Sequence, residues 1–229
     1  MLSNWKAGKK SVRESYARYG IVAAKAFGVP MGAVHAIAKR TGQNHELAAA
    51  LWKSEWYDAR LLAAFVAEPE RLSPREMDRW TAEFDNWAVC DTACFHLFDR
   101  TPHAFAKIRE WAKREPEYEK RAAFALLASV ALHDKSADDR EFSRCLPLIE
   151  RAADDPRNFV KKAVLWALRG VGGRGTALQA AAVAVAERLA ASKDATERWI
   201  GKGALRELTS ATAKRRAAAR DARAARNSA

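Results

Sequence analysis

A tryptophan and a carboxylate one helical turn apart are the residues of this sequence best suited to chemistry on a flat, positively charged group. They lie in Phe84-Asp85-Asn86-Trp87-Ala88-Val89-Cys90-Asp91-Thr92-Ala93-Cys94, where a helix would stack Trp87 and Asp91 on one face. Aspartate is rarely buried without a partner, so the pair suits a cleft better than a core. Cations recur elsewhere at a fixed place after an aromatic, in Tyr57-x-x-Arg60, Tyr118-x-x-Arg121, Phe159-x-x-Lys162 and Trp199-x-x-Lys202. Arg60, Arg121, Lys162 and Lys202 could form a track along a duplex backbone, each neutralised phosphate steepening the fall of log K with log salt by about 0.9. The alternative is solvated side chains paired with Glu119, Asp58 or Glu197. Lys162, Trp166 and Arg169 share one stripe of a helix whose other stripe, Val160, Ala163, Val164, Ala167 and Leu168, faces a core. Trp5, Trp52, Trp56, Trp80, Trp111 and Trp199 are read as packing residues.

The elements that must hold these residues read as helices throughout. Valine and isoleucine are sparse, and no segment alternates with period two between hairpin turns. Gly28-Val29-Pro30 breaks an N-terminal helical region from the run 31–40, and Thr41-Gly42-Gln43-Asn44 closes that run and caps the next. Ser73-Pro74-Arg75-Glu76 carries an N-cap serine, proline at N1 and glutamate at N3. Thr101-Pro102 and Asp155-Pro156 mark further breaks, and Pro147 should kink the stretch 138–153 or start a second short helix. The last three aromatic-basic pairs are spaced by 41 and 40 residues, near the period of HEAT-like helical pairs. The expected fold is all-α: a right-handed-type α-solenoid of HEAT-like pairs with a concave basic face, one domain over residues 1–210, then a tail over 211–229.

Composition agrees with a soluble, intracellular binder of polyanions. Of 229 residues 49% are hydrophobic and 30% charged, with 40 lysines and arginines against 28 acids, a formal charge of +12 and a pI near 9.9. Three cysteines make no disulfide framework. The start of the chain lacks an apolar signal core, and no stretch approaches the roughly 20 apolar residues that span a bilayer, so a cytoplasmic protein with no membrane partner is expected.

Taken in order, Leu51-Trp52-x4-Tyr57-x-x-Arg60-Leu61-Leu62-Ala63, Asn86-Trp87-x3-Asp91, Tyr118-x-x-Arg121-Ala122-Ala123 and Phe159-x-x-Lys162-Ala163-x2-Trp166-x-Leu168-Arg169 resemble the AlkD family of DNA alkylation-repair glycosylases. The likeness covers roughly residues 20–210. It implies a HEAT-like solenoid that removes N3- and N7-alkylated purines such as 3-methyladenine and 7-methylguanine from duplex DNA, without flipping the base. It implies further that Trp87 and Trp166 wall the deoxyribose of the lesion, that Asp91 is the catalytic carboxylate, and that Arg121 and Arg169 bind phosphates. The chain departs from the family at Phe27-Gly28-Val29-Pro30-Met31-Gly32, where polar residues would touch the opposite strand.

The chemistry is coherent. An alkylated purine is cationic and already a good leaving group, so no general acid is required. A carboxylate can stabilise the oxocarbenium character at the sugar and position a water. Indole faces attract positive charge by about 0.5–2 kcal/mol each. No cofactor or metal is expected, because Cys90, Cys94 and His96 lack the further ligands that zinc requires. His35, His45, His103 and His133 read as surface or packing residues, and Val171-Gly172-Gly173-Arg174-Gly175 as an inter-helix turn. The tail holds six cations against Asp221, net +5, without an apolar stripe. It is expected to be a disordered or frayed basic arm that adds DNA affinity. The sequence thus points to a monomeric glycosylase acting on alkylated double-stranded DNA; the alternative is a non-catalytic helical-repeat protein that binds DNA structure or a protein partner.

Overall fold

The computed structural model describes residues 8–227, which form helices and connecting turns with no strand among them; Trp5 lies outside these residues. They divide into two compact units, one ending at His103 and one beginning at Ala104, where one domain to residue 210 is expected from sequence.

The first unit holds α1 (Lys10–Arg18), α2 (Met31–Thr41), α3 (His45–Lys53), α4 (Tyr57–Val66), α5 (Pro74–Ala82) and α6 (Trp87–His96), with single-turn 3-10 helices at Pro69–Arg71 and Phe98–Arg100. Helix starts follow the sequence signals. The side chains of Asn44, Ser73 and Asn86 accept hydrogen bonds from the backbone N–H groups of Leu47, Glu76 and Val89, so each satisfies a first-turn donor. Helix α4 is buried over most of its surface and is flanked by α2 and α6, where Phe65 meets His35 and His96. Trp52 of α3 stacks on Trp80 of α5, with ring centres 4.1 Å apart and planes at 4°. Trp52 and Trp80 pack as expected, and so does half-buried Trp56, which stacks on Phe27 at 3.9 Å.

The second unit holds α7 (Ala104–Trp111), α8 (Glu117–His133), α9 (Asp139–Arg151), α10 (Asn158–Gly172), α11 (Thr176–Ala191), α12 (Ala195–Leu208) and α13 (Ala211–Asn227). Every residue from Arg121 to Ala131 of α8 is buried, which marks a helix covered on all sides. Helices α8, α10 and α12 run parallel in one row. Tyr118 meets Phe159 and Ala128 meets Gly170 between the first two. Lys161 meets Trp199, Leu165 meets Gly203 and Arg169 meets Glu207 between the last two. These last three contacts share an offset of 38 residues, so α10 and α12 pack in strict register. Helices α7, α9 and α11 form the second row, joined by the Phe105–Phe142 ring contact and the Arg188–Glu150 ion pair.

Three expectations need correction. Helix α9 runs through Pro147 as one element, so no second short helix starts there; the proline lies on the exposed side. Trp199 is 44% exposed instead of packed inside. The tail is helical over 211–227, started by Ser210, whose hydroxyl accepts from the Ala213 N–H at 3.1 Å. It docks through polar groups together with Ala217, which is only 1% exposed, and a search for an apolar stripe misses that kind of docking.

Candidate functional site

In the first unit the candidate chemistry sits on α6. Asn86 is buried as the N-cap of this helix; its carbonyl oxygen receives the Val89 N–H at 3.0 Å, and its amide donates to Asp85 at 2.6 Å. That cap fixes the first turn and therefore the direction of Trp87. Ala88, Val89, Cys90, Ala93 and Cys94 are buried, whereas Trp87, Asp91 and Phe95 are half-buried at successive turns. The open face of α6, which half-buried Thr92 and His96 widen, thus carries the predicted pair. The Trp87 indole N–H donates to the Tyr19 carbonyl at 2.9 Å, which holds the ring by its edge against the turn after α1.

The thiols behind this stripe are unsuited to metal or nucleophilic chemistry. Burial pushes the Cys94 thiol well above its ordinary range, and Cys90 and the charges of Asp91 and Asp99 push it further. No group of three or more metal-ligating side chains occurs among the described residues.

Asp58 entered the sequence reading only as a possible partner for a surface cation, yet it organises the segment where the family resemblance breaks. It is fully buried and accepts the backbone N–H groups of Phe27 at 2.6 Å and Val29 at 2.7 Å, with Gly28 and the Tyr16 hydroxyl at 3.4 Å. Gly28 has φ +81°, the left-handed region that lets consecutive amides turn toward one carboxylate. Burial and the Asp58 charge raise the Tyr16 phenol above its ordinary range. Beyond this loop Met31 is 41% exposed and Gly32 is exposed, so the segment presents an apolar side chain. A carboxylate inside the run Tyr57–Val66, where Arg60 is the one other charged residue, was the available signal.

The basic track divides. Arg60 is 7% exposed; its guanidinium donates to the Glu83 carbonyl at 3.0 Å and to the Glu83 carboxylate at 3.1 Å, and lies 5.2 Å from the Trp52 ring centre. It is a structural tie between α4, α5 and α3, which corrects its placement on a phosphate track. It also borders a cleft of about 260 Å³ with Lys25, Glu55, Tyr57 and Asp85. In the second unit Arg121 is 6% exposed and donates to the Phe159 carbonyl at 2.5 Å, which ties α8 to the start of α10. Lys162 and Lys202 are exposed. Two of the three partners anticipated for these cations are engaged elsewhere: Glu119 pairs with Arg114, and Asp58 holds the loop.

Trp166 and Arg169, half-buried on α10, line a cavity of about 440 Å³ inside the second unit. Its other walls include Glu207 at the end of α12 and Arg216 and Arg220 of α13. Arg169 pairs with Glu207, while its Nε is buried without a partner. Burial, then the nearby charge of Arg206, holds its guanidinium below the ordinary range. Glu207 had no place in the sequence reading, and the α13 arginines were read only as part of a loose basic arm, because both meet α10 only through tertiary packing.

No curated protein matches the sequence significantly. A solved structure described as "a new family of proteins related to the HEAT-like repeat DNA glycosylases with affinity for branched DNA structures" is similar with a TM-score of 0.74 at 22% identity, covering 90% of this chain and 92% of that one. The likeness gives the fold: all-helical HEAT-like repeats. The sequence model of the family described as DNA alkylation repair enzyme matches residues 6–208, and the chain belongs to that family.

Proposed function

We infer that the protein is a DNA glycosylase that releases cationic N3- and N7-alkylated purines from double-stranded DNA. The observation that carries this reading is the partly open face of α6, where Trp87, pinned through its N–H, and Asp91 stand one turn apart among half-buried residues that include Thr92. A helix that needed only to pack would place neither an indole edge nor a carboxylate there. Asp91 is assigned the electrostatic role: it stabilises positive charge developing at the sugar and accepts a hydrogen bond from the attacking water. Trp87 and Trp166 offer π-faces that favour a cationic lesion over a neutral base. Arg169, Lys162 and Lys202 contact phosphates, with Arg121 holding α10 in place. Because the leaving base already carries positive charge, the reaction runs without a general acid, a metal or a cofactor, and the lesion stays within the duplex.

The second reading, binding of branched DNA without base release, is favoured by the solved relative's described affinity for branched DNA structures. Base release from DNA carrying 7-methylguanine or 3-methyladenine separates the two. Asp91→Asn should lower single-turnover release by about 10²–10³-fold while DNA affinity survives. Wild-type protein that binds such DNA and releases no base would end the enzymatic reading, and full activity in Asp91→Asn would remove Asp91 from the mechanism.

A further inference from the structure

We propose that α13 is a built-in clamp for the DNA backbone, with Arg216 and Arg169 forming a phosphate site on the cavity beside Trp166. Helix α13 follows the last family-matched residue, Leu208, so the Arg216 side of this site lies outside the family match. It rests on the DNA-binding part of the function inferred above and not on base release.

The docking of α13 is specific. Arg220 donates to the Gly173 carbonyl at the C-terminal end of α10, where carbonyls lack helical partners and the dipole is negative. The next residue, Asp221, accepts from the Thr176 N–H at 3.1 Å and the Thr176 hydroxyl at 2.5 Å, at the N-terminus of α11 where the dipole is positive. One consecutive Arg-Asp pair therefore reads both ends of the α10–α11 turn. Gly175 makes room for it, since a Cβ there would lie 2.5 Å from the Asp221 carboxylate. Ala217, one turn before Asp221, is 1% exposed.

Docked in this way, α13 closes one side of the 440 Å³ cavity and presents Arg216 to it. The cavity then holds three guanidiniums, Arg169, Arg216 and Arg220, against one carboxylate, Glu207. Arg220 is engaged by Gly173, and Glu207 answers Arg169. Arg216 remains exposed with no ion pair among the described residues, and Arg169 keeps a buried Nε without an acceptor. A phosphodiester supplies the missing negative charge and the missing acceptor together, with planar guanidiniums suited to its oxygens.

The test is the salt dependence of binding to unmodified duplex DNA, which does not depend on catalysis. Arg216→Ala should lower the slope of log K against log salt by about 0.9, one phosphate contact, with an unchanged melting temperature. Arg215→Ala, an exposed neighbour whose guanidinium reaches Thr212, should leave the slope unaltered. Asp221→Ala should reproduce the Arg216→Ala slope and expose the chain after Ser210 to protease. An unchanged slope in Arg216→Ala overturns the proposal, and so does an equal loss in Arg215→Ala, which would make α13 a diffuse cation. Loss of base release with the slopes as expected would strike the glycosylase reading alone.

Discussion

Replacing Asp58 by asparagine keeps the shape of the side chain and removes one of its two acceptor oxygens. In the native fold Oδ2 receives the Phe27 N–H at 2.6 Å and Oδ1 the Val29 N–H at 2.7 Å, all within a fully buried environment. Asparagine can serve one of these amides and must turn an NH₂ group toward the other. The loss is one charge-assisted hydrogen bond, about 1.5–3 kcal/mol, plus part of the penalty for a buried donor left without an acceptor, so the expected cost is about 3 kcal/mol. Asp58→Ala strands both amides and should cost about 4–5 kcal/mol. Tyr16→Phe removes only a 3.4 Å contact to the carboxylate and should cost under about 1 kcal/mol. At roughly 2–4 °C per kcal/mol for a chain of this size, Asp58→Asn should lower the melting temperature by about 6–12 °C. Amide exchange at Phe27 and Val29 should accelerate ahead of the rest of the first unit. An Asp58→Asn penalty below about 1 kcal/mol, or unchanged exchange at those two amides, would refute the reasoning that one carboxylate holds the loop.

Arg60→Ala should destabilise by about 1–3 kcal/mol, a figure discounted because Glu83 is 39% exposed; thermal denaturation reads this, and a DNA-binding salt slope lowered by about 0.9 would return Arg60 to the phosphate track. Burial raises the Cys145 thiol from 9.0 to about 11 and the Tyr57 phenol from 10.0 to about 12. Both hold their protons more tightly when folded, so their contribution is full below the unfolded values and is lost as pH rises toward the folded ones. Urea midpoints should be level from about pH 7 to 8.5 and decline above about 9, less steeply in Cys145→Ala; a level profile to pH 11 would sink the assignment.

Local chemistry was legible where the chain itself carried it. Ser73-Pro74-Arg75-Glu76 and Asn44 start the helices they announce, because capping is a bond between residues three apart. Trp87 and Asp91 share the open stripe of α6 for the same reason: one helical turn fixes their relation. The basic residues were not legible, since their fate depends on partners 23 to 38 residues away. Arg60 and Lys162 occupy the same place in the aromatic-basic pattern, yet one is buried against Glu83 and the other is exposed. The 41- and 40-residue spacing also overstated equivalence. Helices α10 and α12 pack at an offset of 38 residues, which puts Trp199 on the partner of Lys161 and not at the helix start that Phe159 occupies. Trp199 therefore carries a cation over its exposed ring, 5.4 Å from Lys161.

The formal charge of +12 likewise says little until each cation is given its partner. Arg71, Arg109, Arg114, Arg157 and Arg188 each hold a carboxylate within 2.8 Å or closer. The Arg157 guanidinium holds Asp155 below the usual carboxylate range, and Arg188 does the same to Glu150. A phosphate approaching such an arginine must displace an anion already in place, so the exchange releases little counterion and adds little to affinity; Arg169 differs in that Glu207 leaves its Nε without an acceptor. Lys162 on α10, Lys202 and Arg206 on α12, and Arg216 on α13 are exposed and make no ion pair among the described residues. All four belong to the second unit, on the parallel helices that carry Trp166 and Trp199 and on the helix docked across their ends. The capacity of this chain to neutralise DNA is therefore better read from such cations, to which exposed Lys39, Arg40, Lys53 and Arg75 of the first unit also belong, than from its net charge. The same distinction explains why a tail with six cations docks at all: Arg220 and Asp221 hold it to the turn, and Arg216 is left without an ion pair at the mouth of the cavity.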